Sequence, residues 1–242
     1  GFFWAHYMDA HYPFKPDKIP DKDIDVGRSS DSILEANDRF KQGEASSTDI
    51  EILRSLYGEM VQYLDRAIAT LFDDLRDRNR WEDSVIILMS DHGEAFGEDG
   101  VYNHMWDADP IDPLVRVPLL VKFPDEPGRT YSHLVQNADL PITLSNIFDW
   151  GINPPLTKPL LDDSGRVIVS KSNSAVRVTT PEGRAIRRRD GSNLGTESID
   201  GGAISVLNDA EIPTIEKTGE MKEKQDHKED EIMDRLEYLG YK

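Results

Sequence analysis

The chain has 242 residues, and its 46 acidic and 28 basic side chains give a formal net charge of -18 at pH 7. So much negative charge argues against nucleic acid or an anionic membrane as the main partner, because both are polyanions. The count of 0 cysteines excludes a disulfide, a zinc-thiolate site and a thiol nucleophile within these residues. At this length, one α/β domain with a small appendage can bury a sizeable core.

The acidic surface fits a protein from a halophile, because high salt screens repulsion between like charges; an acidic mesophilic protein is the alternative. No apolar run approaches the length of a membrane span, and residues 1–11 have neither a basic start nor a small-residue cleavage site. These residues therefore contain no predicted signal peptide or transmembrane segment, which favours the cytoplasm. Because the chain opens without Met inside an aromatic-rich segment, we expect a fragment of a longer fold.

The first 80 residues predict a strand and a long helix. Residues 2–8 read as a short buried strand, followed by a loop that contains Pro and Lys. A helix is predicted from about Ser47, with Ser47, Thr48 or Asp49 as its N-cap. Its apolar residues recur every three or four positions, as expected of a helix that packs on a sheet: Leu53, Leu56, Met60, Leu64, Ile68, Leu71 and Leu75.

Two apolar strands are predicted next, at residues 85–89 and 117–123, joined by a long polar loop. The alternation of helix and apolar strand is typical of a doubly wound α/β sheet. A further helix is predicted to begin at Asp139, as N-cap, and to end near Gly151.

The last third predicts a different architecture. Residues 166–170, 175–179, 185–188 and 204–207 read as short strands separated by Gly, Asn and Asp, which is typical of an antiparallel sheet. A charged segment at 216–231 and a terminal helix at 232–236 follow. We therefore predict two units: an α/β domain at 1–155 and a β-rich subdomain with a charged tail at 156–242.

The most informative motif is Asp91-His92-Gly93-Glu94, directly after the predicted strand at 85–89. The carboxyl end of such a strand is where α/β enzymes tend to build their sites, and Asp91 and His92 are both able to bind metal. The alternative is a turn in which Asp91 caps the next element and His92 lies on the surface. On this motif alone, the two interpretations have similar weight.

Four other short clusters occur in order with this motif: Asp9-Ala10-His11-Tyr12-Pro13, Asn103-His104, Leu114-Val115-Arg116-Val117-Pro118 and Asp139-Leu140-Pro141-Ile142-Thr143-Leu144. Together they resemble the sulfatase family of the alkaline phosphatase superfamily, over roughly the first 150 residues. The resemblance implies an α/β fold: an alkaline-phosphatase-like three-layer sandwich with a mostly parallel sheet, here incomplete at the N-terminus. The small C-terminal antiparallel subdomain and terminal helix would complete the fold.

The resemblance also implies a metal site. Asp91 and His92 match the family's second pair of ligands for one divalent cation, for which Ca²⁺ is favoured and Mn²⁺, Zn²⁺ and Mg²⁺ are alternatives. The family's first Asp pair and its nucleophile, a Cys converted to formylglycine or a Ser or Thr, match nothing in these residues. Formylglycine, if it is used, would lie outside this chain, and these residues alone are not expected to turn over a sulfate ester.

His11 and His104 match family positions that contact the ester and support catalysis. His11 could protonate the leaving group, although a histidine hydrogen-bonded in an aromatic core is the alternative. His104 would bind the transferred group, but Asn103 stands where the family usually has Gly. Glu94 and Glu98 are predicted to be structural or solvated, and Arg116 is predicted to pair with a carboxylate under the site.

The leading hypothesis is part of a metal-dependent sulfatase-like hydrolase that cleaves sulfate monoesters of small molecules or saccharides. A phosphodiesterase or phosphonate hydrolase, or a phosphoglycerol transferase, would use the same residues. A non-catalytic truncated remnant is the alternative from another class. The sequence gives no indication of oligomeric state.

Overall fold

The computed structural model describes residues 1–15, 29–124, 126–154, 157–197 and 199–212. In chain order the helices and strands are α1 (Ser30–Gln42), α2 (Ser47–Asp77), β1 (Ile86–Met89), α3 (Asp112–Val115), β2 (Leu119–Lys122), α4 (Asp139–Phe148), β3 (Ile168–Lys171), β4 (Ala175–Thr179), β5 (Arg184–Arg188), β6 (Asn193–Glu197) and α5 (Gly201–Asp209). A short 3₁₀ turn lies at Glu98–Gly100. The predicted charged segment and terminal helix beyond residue 212 lie outside the described residues.

The turn between α1 and α2 is defined by local hydrogen bonds. Gly43 ends α1 in the left-handed conformation, at φ 74. Ser46, one residue before the predicted caps, is the N-cap of α2 and forms a capping box with Asp49. Arg39 binds the Asp49 carboxylate at 2.8 Å. The Arg39 hydrogen bonds hold the pKa of Asp49 well below its usual value, which keeps the cap ionised.

The helices pack around an aromatic core. Its buried members are Phe14, Ile33, Ala36, Phe40, Leu53, Leu56, Met60 and Phe96. Asn37 of α1 joins this core to the segment that carries His11, because its side chain bonds both the amide and the carbonyl of Phe14, at 2.9 and 2.8 Å. The predicted helical stripe is confirmed as a helix, but only its first half is fully buried; Leu64 to Leu75 remain half-exposed.

The predicted buried strand at residues 2–8 is wrong. These residues have no regular secondary structure, and Phe2, Phe3 and Trp4 are 80%, 80% and 77% exposed. A strand forms only when a neighbour accepts and donates its backbone hydrogen bonds. Among the described residues, no strand lies beside this segment.

The central pair β1 and β2 confirms the two predicted apolar strands. They pair antiparallel, with Ile87 opposite Val121. The intervening segment turns the chain back on itself, so β2 runs against β1. No parallel pair occurs among the described residues, and the mostly parallel sheet stays a prediction. Helix α4 follows at the predicted place, although Ala138 rather than Asp139 is its N-cap.

The C-terminal sheet is antiparallel, as predicted, with the strand order β3-β4-β5-β6. Helix α5 packs on one face against Val176, Val178 and Ala185. The predicted strand at 204–207 is wrong, since it lies inside α5. Asp200 caps this helix by accepting a bond from the Ala203 amide at 2.7 Å. None of the described helices has both the length and the apolar composition that crossing a membrane requires.

Candidate active site

The loop that leaves β1 is held tightly at its base. The Asn137 side chain donates to the Ser90 carbonyl at 2.9 Å, and the Gly93 amide donates to the Leu114 carbonyl at 2.9 Å. A Cβ atom on Gly93 would lie 1.9 Å from the Pro113 carbonyl oxygen, so only glycine fits. This close approach fixes Asp91 and His92 at the end of β1.

Asp91 and His92 lie side by side at this loop. The Asp91 carboxylate accepts a bond from the His92 amide at 3.0 Å, and its second oxygen lies 3.8 Å from His92 Nε2. The Asp91 side chain is 70% exposed. An oxygen and a nitrogen at this separation suit two ligands of one divalent cation, so the pair fits the half-site that the sequence predicts.

His11 reaches the same place from the N-terminal segment. Its amide donates to the Met8 carbonyl at 3.1 Å, and its Nδ1 lies 2.6 Å from the Tyr12 carbonyl oxygen. Burial raises the pKa of Tyr12, and the charges of Asp38 and Glu94 raise it further. Tyr12 therefore remains a neutral phenol, whose hydroxyl donates to the Asn37 carbonyl at 3.3 Å.

His104 is placed by a tight turn after the 3₁₀ segment. Asn103 has φ 57, its amide donates to the Ala95 carbonyl at 2.7 Å, and its side chain accepts from the Met105 amide at 2.8 Å. Asparagine is one of the few residues besides glycine that adopt this conformation readily. The presence of Asn103 where the family usually has Gly is therefore compatible with the same turn.

The three histidines converge. The rings of His92 and His104 stack with centroids 4.2 Å apart, and the His11 ring meets His104 edge-on at 4.8 Å. One ring nitrogen of each residue lies within 4.8 Å of the other two. The structure thus brings His92 and His104 together with His11, which lies 93 residues before His104, and Asp91 is adjacent.

Glu94, which the sequence predicts to be structural or solvated, is a buried neighbour of this cluster. Its side chain is 5% exposed, and its Oε2 lies 2.9 Å from His104 Nδ1. Its charge adds to the effect of burial in raising the pKa of Tyr57. In the sequence, Glu94 directly precedes two apolar residues, Ala95 and Phe96, and both are buried in the structure. This position is the sequence signal that could have indicated the burial of Glu94.

Glu98 and Arg116 both form ion pairs with residues outside the histidine cluster. Glu98 binds Arg54 at 2.6 Å and accepts a bond from the Phe96 amide, in agreement with a structural role. Arg116 does pair with a carboxylate, that of Asp112, but at 3.8 Å and with a side chain that is 77% exposed. It therefore lies on the surface rather than under the site.

The C-terminal sheet holds the segment that follows His104. Arg188 binds Asp109 at 2.5 Å, and Arg177 binds Asp112 at 2.5 Å, with Arg184 as a second partner of Asp112. Burial alone would raise the pKa of Asp112, but hydrogen bonds and charges from Arg177 and Arg184 outweigh it and lower that pKa. The loop behind the candidate site is thus anchored by ionised side chains.

The chain is similar to known proteins over its first 150 residues. The family model described as Sulfatase matches residues 1–150. A choline-sulfatase of Rhizobium meliloti (strain 1021) is 28% identical over 143 residues, which are 58% of this chain and 26% of the relative. The chain thus spans about a quarter of the length of that curated relative. From the match over residues 1–150, the chain belongs to the sulfatase family, which has an alkaline-phosphatase-like α/β fold.

Proposed function

We propose that this chain is part of a metal-dependent sulfatase-like hydrolase that cleaves sulfate monoesters of small molecules or saccharides. The observation that carries the proposal is the convergence of His11, His92 and His104 beside Asp91 at the end of β1. Membership of the sulfatase family supports the reaction class, and the name of the relative, choline-sulfatase, supports a sulfate ester as substrate.

Asp91 and His92 would hold the divalent cation, as an oxygen and a nitrogen ligand on one loop. Ca²⁺ remains the favoured ion, with Mn²⁺, Zn²⁺ and Mg²⁺ as alternatives, because one ligand is a carboxylate and the other an imidazole. When bound, such an ion supplies positive charge that stabilises the ester oxygens in the transition state.

His104 and His11 would contact the substrate. The bond between His104 Nδ1 and Glu94 fixes the orientation of the imidazole, and its Nε2, which lies 3.2 Å from His11 Nε2, would contact a sulfuryl oxygen. His11, whose ring meets the His104 ring edge-on, would deliver a proton to the leaving oxygen, because imidazole transfers protons readily near neutral pH. The proposal assigns no nucleophile to these residues.

The test compares hydrolysis of p-nitrophenyl sulfate and bis-p-nitrophenyl phosphate by a protein that contains these residues in its whole chain. We expect the sulfate ester to be the better substrate. His104→Ala should lower its kcat/KM by roughly 10²- to 10³-fold, the usual effect of removing a group that stabilises transition-state charge.

His133→Ala is the matched control, because His133 bonds the Leu160 carbonyl at 2.7 Å and is not part of the histidine cluster. Faster cleavage of the phosphodiester would contradict the sulfatase assignment and favour the phosphoryl-transfer alternative. Equal losses in the His104 and control variants would contradict the role of His104.

A further inference from the structure

The peptide bond that joins Ser90 to Asp91 is fixed by hydrogen bonds from two other parts of the chain. The Ser90 amide donates to the Pro118 carbonyl at 3.3 Å, one residue beyond the last pair of β1 and β2. The Ser90 carbonyl is bonded by a side chain instead, because Asn137 Nδ2 donates to it at 2.9 Å. Since this carbonyl belongs to the planar peptide before Asp91, its direction sets where the Asp91 carboxylate points.

Ser90 also holds the second residue of the proposed metal half-site. Its hydroxyl donates to the His92 carbonyl at 2.5 Å, while the His92 amide donates to the Asp91 carboxylate at 3.0 Å. The three residues therefore form one turn closed by its own hydrogen bonds, and rotation of the peptide before Asp91 would move both ligand side chains. Asn137 thus acts on both ligands through the backbone.

Asn137 is held in place at the start of α4. Asp139, two residues later, is fully buried and accepts bonds from the Gln136 amide at 2.9 Å and the Lys158 amide at 3.1 Å. Arg166, whose side chain is 7% exposed, pairs with the same carboxylate. Such a buried, paired carboxylate resists displacement, because losing a partner would leave its charge uncompensated. The backbone on both sides of Asn137 is therefore fixed, which keeps its amide directed at the end of β1.

We propose that Asn137 is a positioning residue of the metal half-site. Its amide sets the peptide between Ser90 and Asp91 so that the Asp91 carboxylate and the His92 imidazole face one divalent cation. Groups that orient metal ligands in this way raise affinity, because the ligands are already in place when the ion binds. The inference rests on the proposed function, since it concerns the ion that Asp91 and His92 would hold.

The experiment titrates Ca²⁺, and Mn²⁺ in parallel, into a protein that contains these residues in its whole chain, followed by calorimetry. Loss of binding in Asp91→Ala identifies the site. Asn137→Leu keeps the approximate shape of the side chain and removes its donor. We expect it to bind roughly 10-fold more weakly, the lower end of the effect of losing a group that orients a metal ligand. Asn146→Leu is the matched control, since Asn146 is exposed on the same helix, and it should bind normally.

Urea denaturation of each variant separates positioning from a general loss of stability. An Asn137→Leu variant that is less stable but binds the ion with unchanged affinity would overturn the inference. If that variant does not fold, Asn137→Asp provides the test: its ionised carboxylate cannot donate, and its added charge would by itself favour a cation. Weaker binding than in Asn146→Asp would support the inference, and equal or tighter binding would overturn it.

Hydrolysis of p-nitrophenyl sulfate by the same proteins keeps this inference distinct from the proposed function. Weaker ion binding in Asn137→Leu, in a protein that hydrolyses no sulfate ester, would support the positioning role and overturn the proposed function. Hydrolysis by the natural protein, with equal ion affinity in Asn137→Leu and Asn146→Leu, would overturn the positioning role and leave the proposed function intact. If the natural protein bound neither ion, both would be overturned.

Discussion

The two sheets formed by the described residues differ both in composition and in how deeply their side chains are buried. β1 and β2 consist of Ile, Leu, Met and Val with a single Lys, yet no residue of either strand is fully buried. β4 contains an arginine, yet its first four residues are buried and Arg177 is 2% exposed. The more apolar sheet is the less covered one.

The difference lies in what packs on each sheet. β4 is an inner strand whose side chains alternate between two covered faces. Val176 and Val178 face α5, while Ala175 contacts a cluster with Ile111 and Leu114 from the loop behind the candidate site. β1 and β2 form a two-stranded sheet with no further strand among the described residues. Apolar composition therefore indicates which strands would be stabilised by burial. The packing of other elements determines which strands are in fact buried.

The largest effect is expected from Asp112→Ala. This change leaves the buried Arg177 guanidinium without its carboxylate partner, and removing one member of a buried ion pair costs about 3 to 5 kcal/mol. Because the Asp112 side chain is 28% exposed, water offsets part of this cost, and we expect a loss of about 3 kcal/mol in the free energy of unfolding. Urea denaturation measures it.

Asp73→Ala is the control for that variant, since this carboxylate is 73% exposed on α2 and its loss should change stability by less than about 0.5 kcal/mol. If Asp112→Ala lowered the free energy of unfolding no more than the control, the buried Arg177 would not depend on the Asp112 carboxylate. The difference in burial between the two sheets would then be due to apolar packing alone.

The next largest effect on stability is expected from truncating a buried apolar side chain of the C-terminal sheet, compared with an exposed one of the β1–β2 sheet. Val178→Ala removes buried methyl groups from a fully covered position and should cost about 2 kcal/mol. Leu120→Ala removes a larger side chain that is 59% exposed, and should cost less than about 0.5 kcal/mol. Thermal denaturation of both variants is the measurement. An equal or greater loss of stability for Leu120→Ala would mean that other residues pack against Leu120 of β2 in solution.

The smallest effect is a pH dependence. The pKa of Asp112 is lower in the folded protein than in the unfolded chain, so the unfolded chain binds more protons in acid. The stability that Asp112 contributes is therefore fully present above its unfolded pKa of about 3.9 and is lost as the pH falls below that value. The difference in urea midpoint between the natural protein and Asp112→Ala should shrink from pH 6 towards roughly pH 3. A constant difference over that range would show that Asp112 acts through its shape rather than its charge.

Local signals predicted much of this fold. The periodic residues from Leu53 to Leu75 found α2, and the alternating short strands found β3, β4 and β5. The error at 204–207 came from judging four residues alone, because Asp200 as a cap and Ala203 and Leu207 at helical spacing already indicate a helix. The error at 2–8 has another cause, since whether an aromatic segment forms a strand depends on a neighbour that composition does not reveal.

The candidate site was predictable in its residues but not in its geometry. Resemblance to the family singled out His11, Asp91, His92 and His104. It did not indicate that three imidazoles lie in mutual contact, because that depends on how three loops meet. Glu94 was predicted to be solvated or structural because the chain is rich in acid; its burial follows from the turn at Asn103, which closes His104 over it.

The ion pairs behind His104 have a consequence for the order of assembly. Asp109 and Asp112 are held by arginines that lie 79 and 65 residues later in the chain. During synthesis, His104 therefore leaves the ribosome well before the residues that support its loop, whereas α1 and α2 already have their mutual contacts. We expect the histidine cluster to reach its final geometry only after β4 and β5 have been made, which makes the candidate site one of the last parts of the molecule to mature.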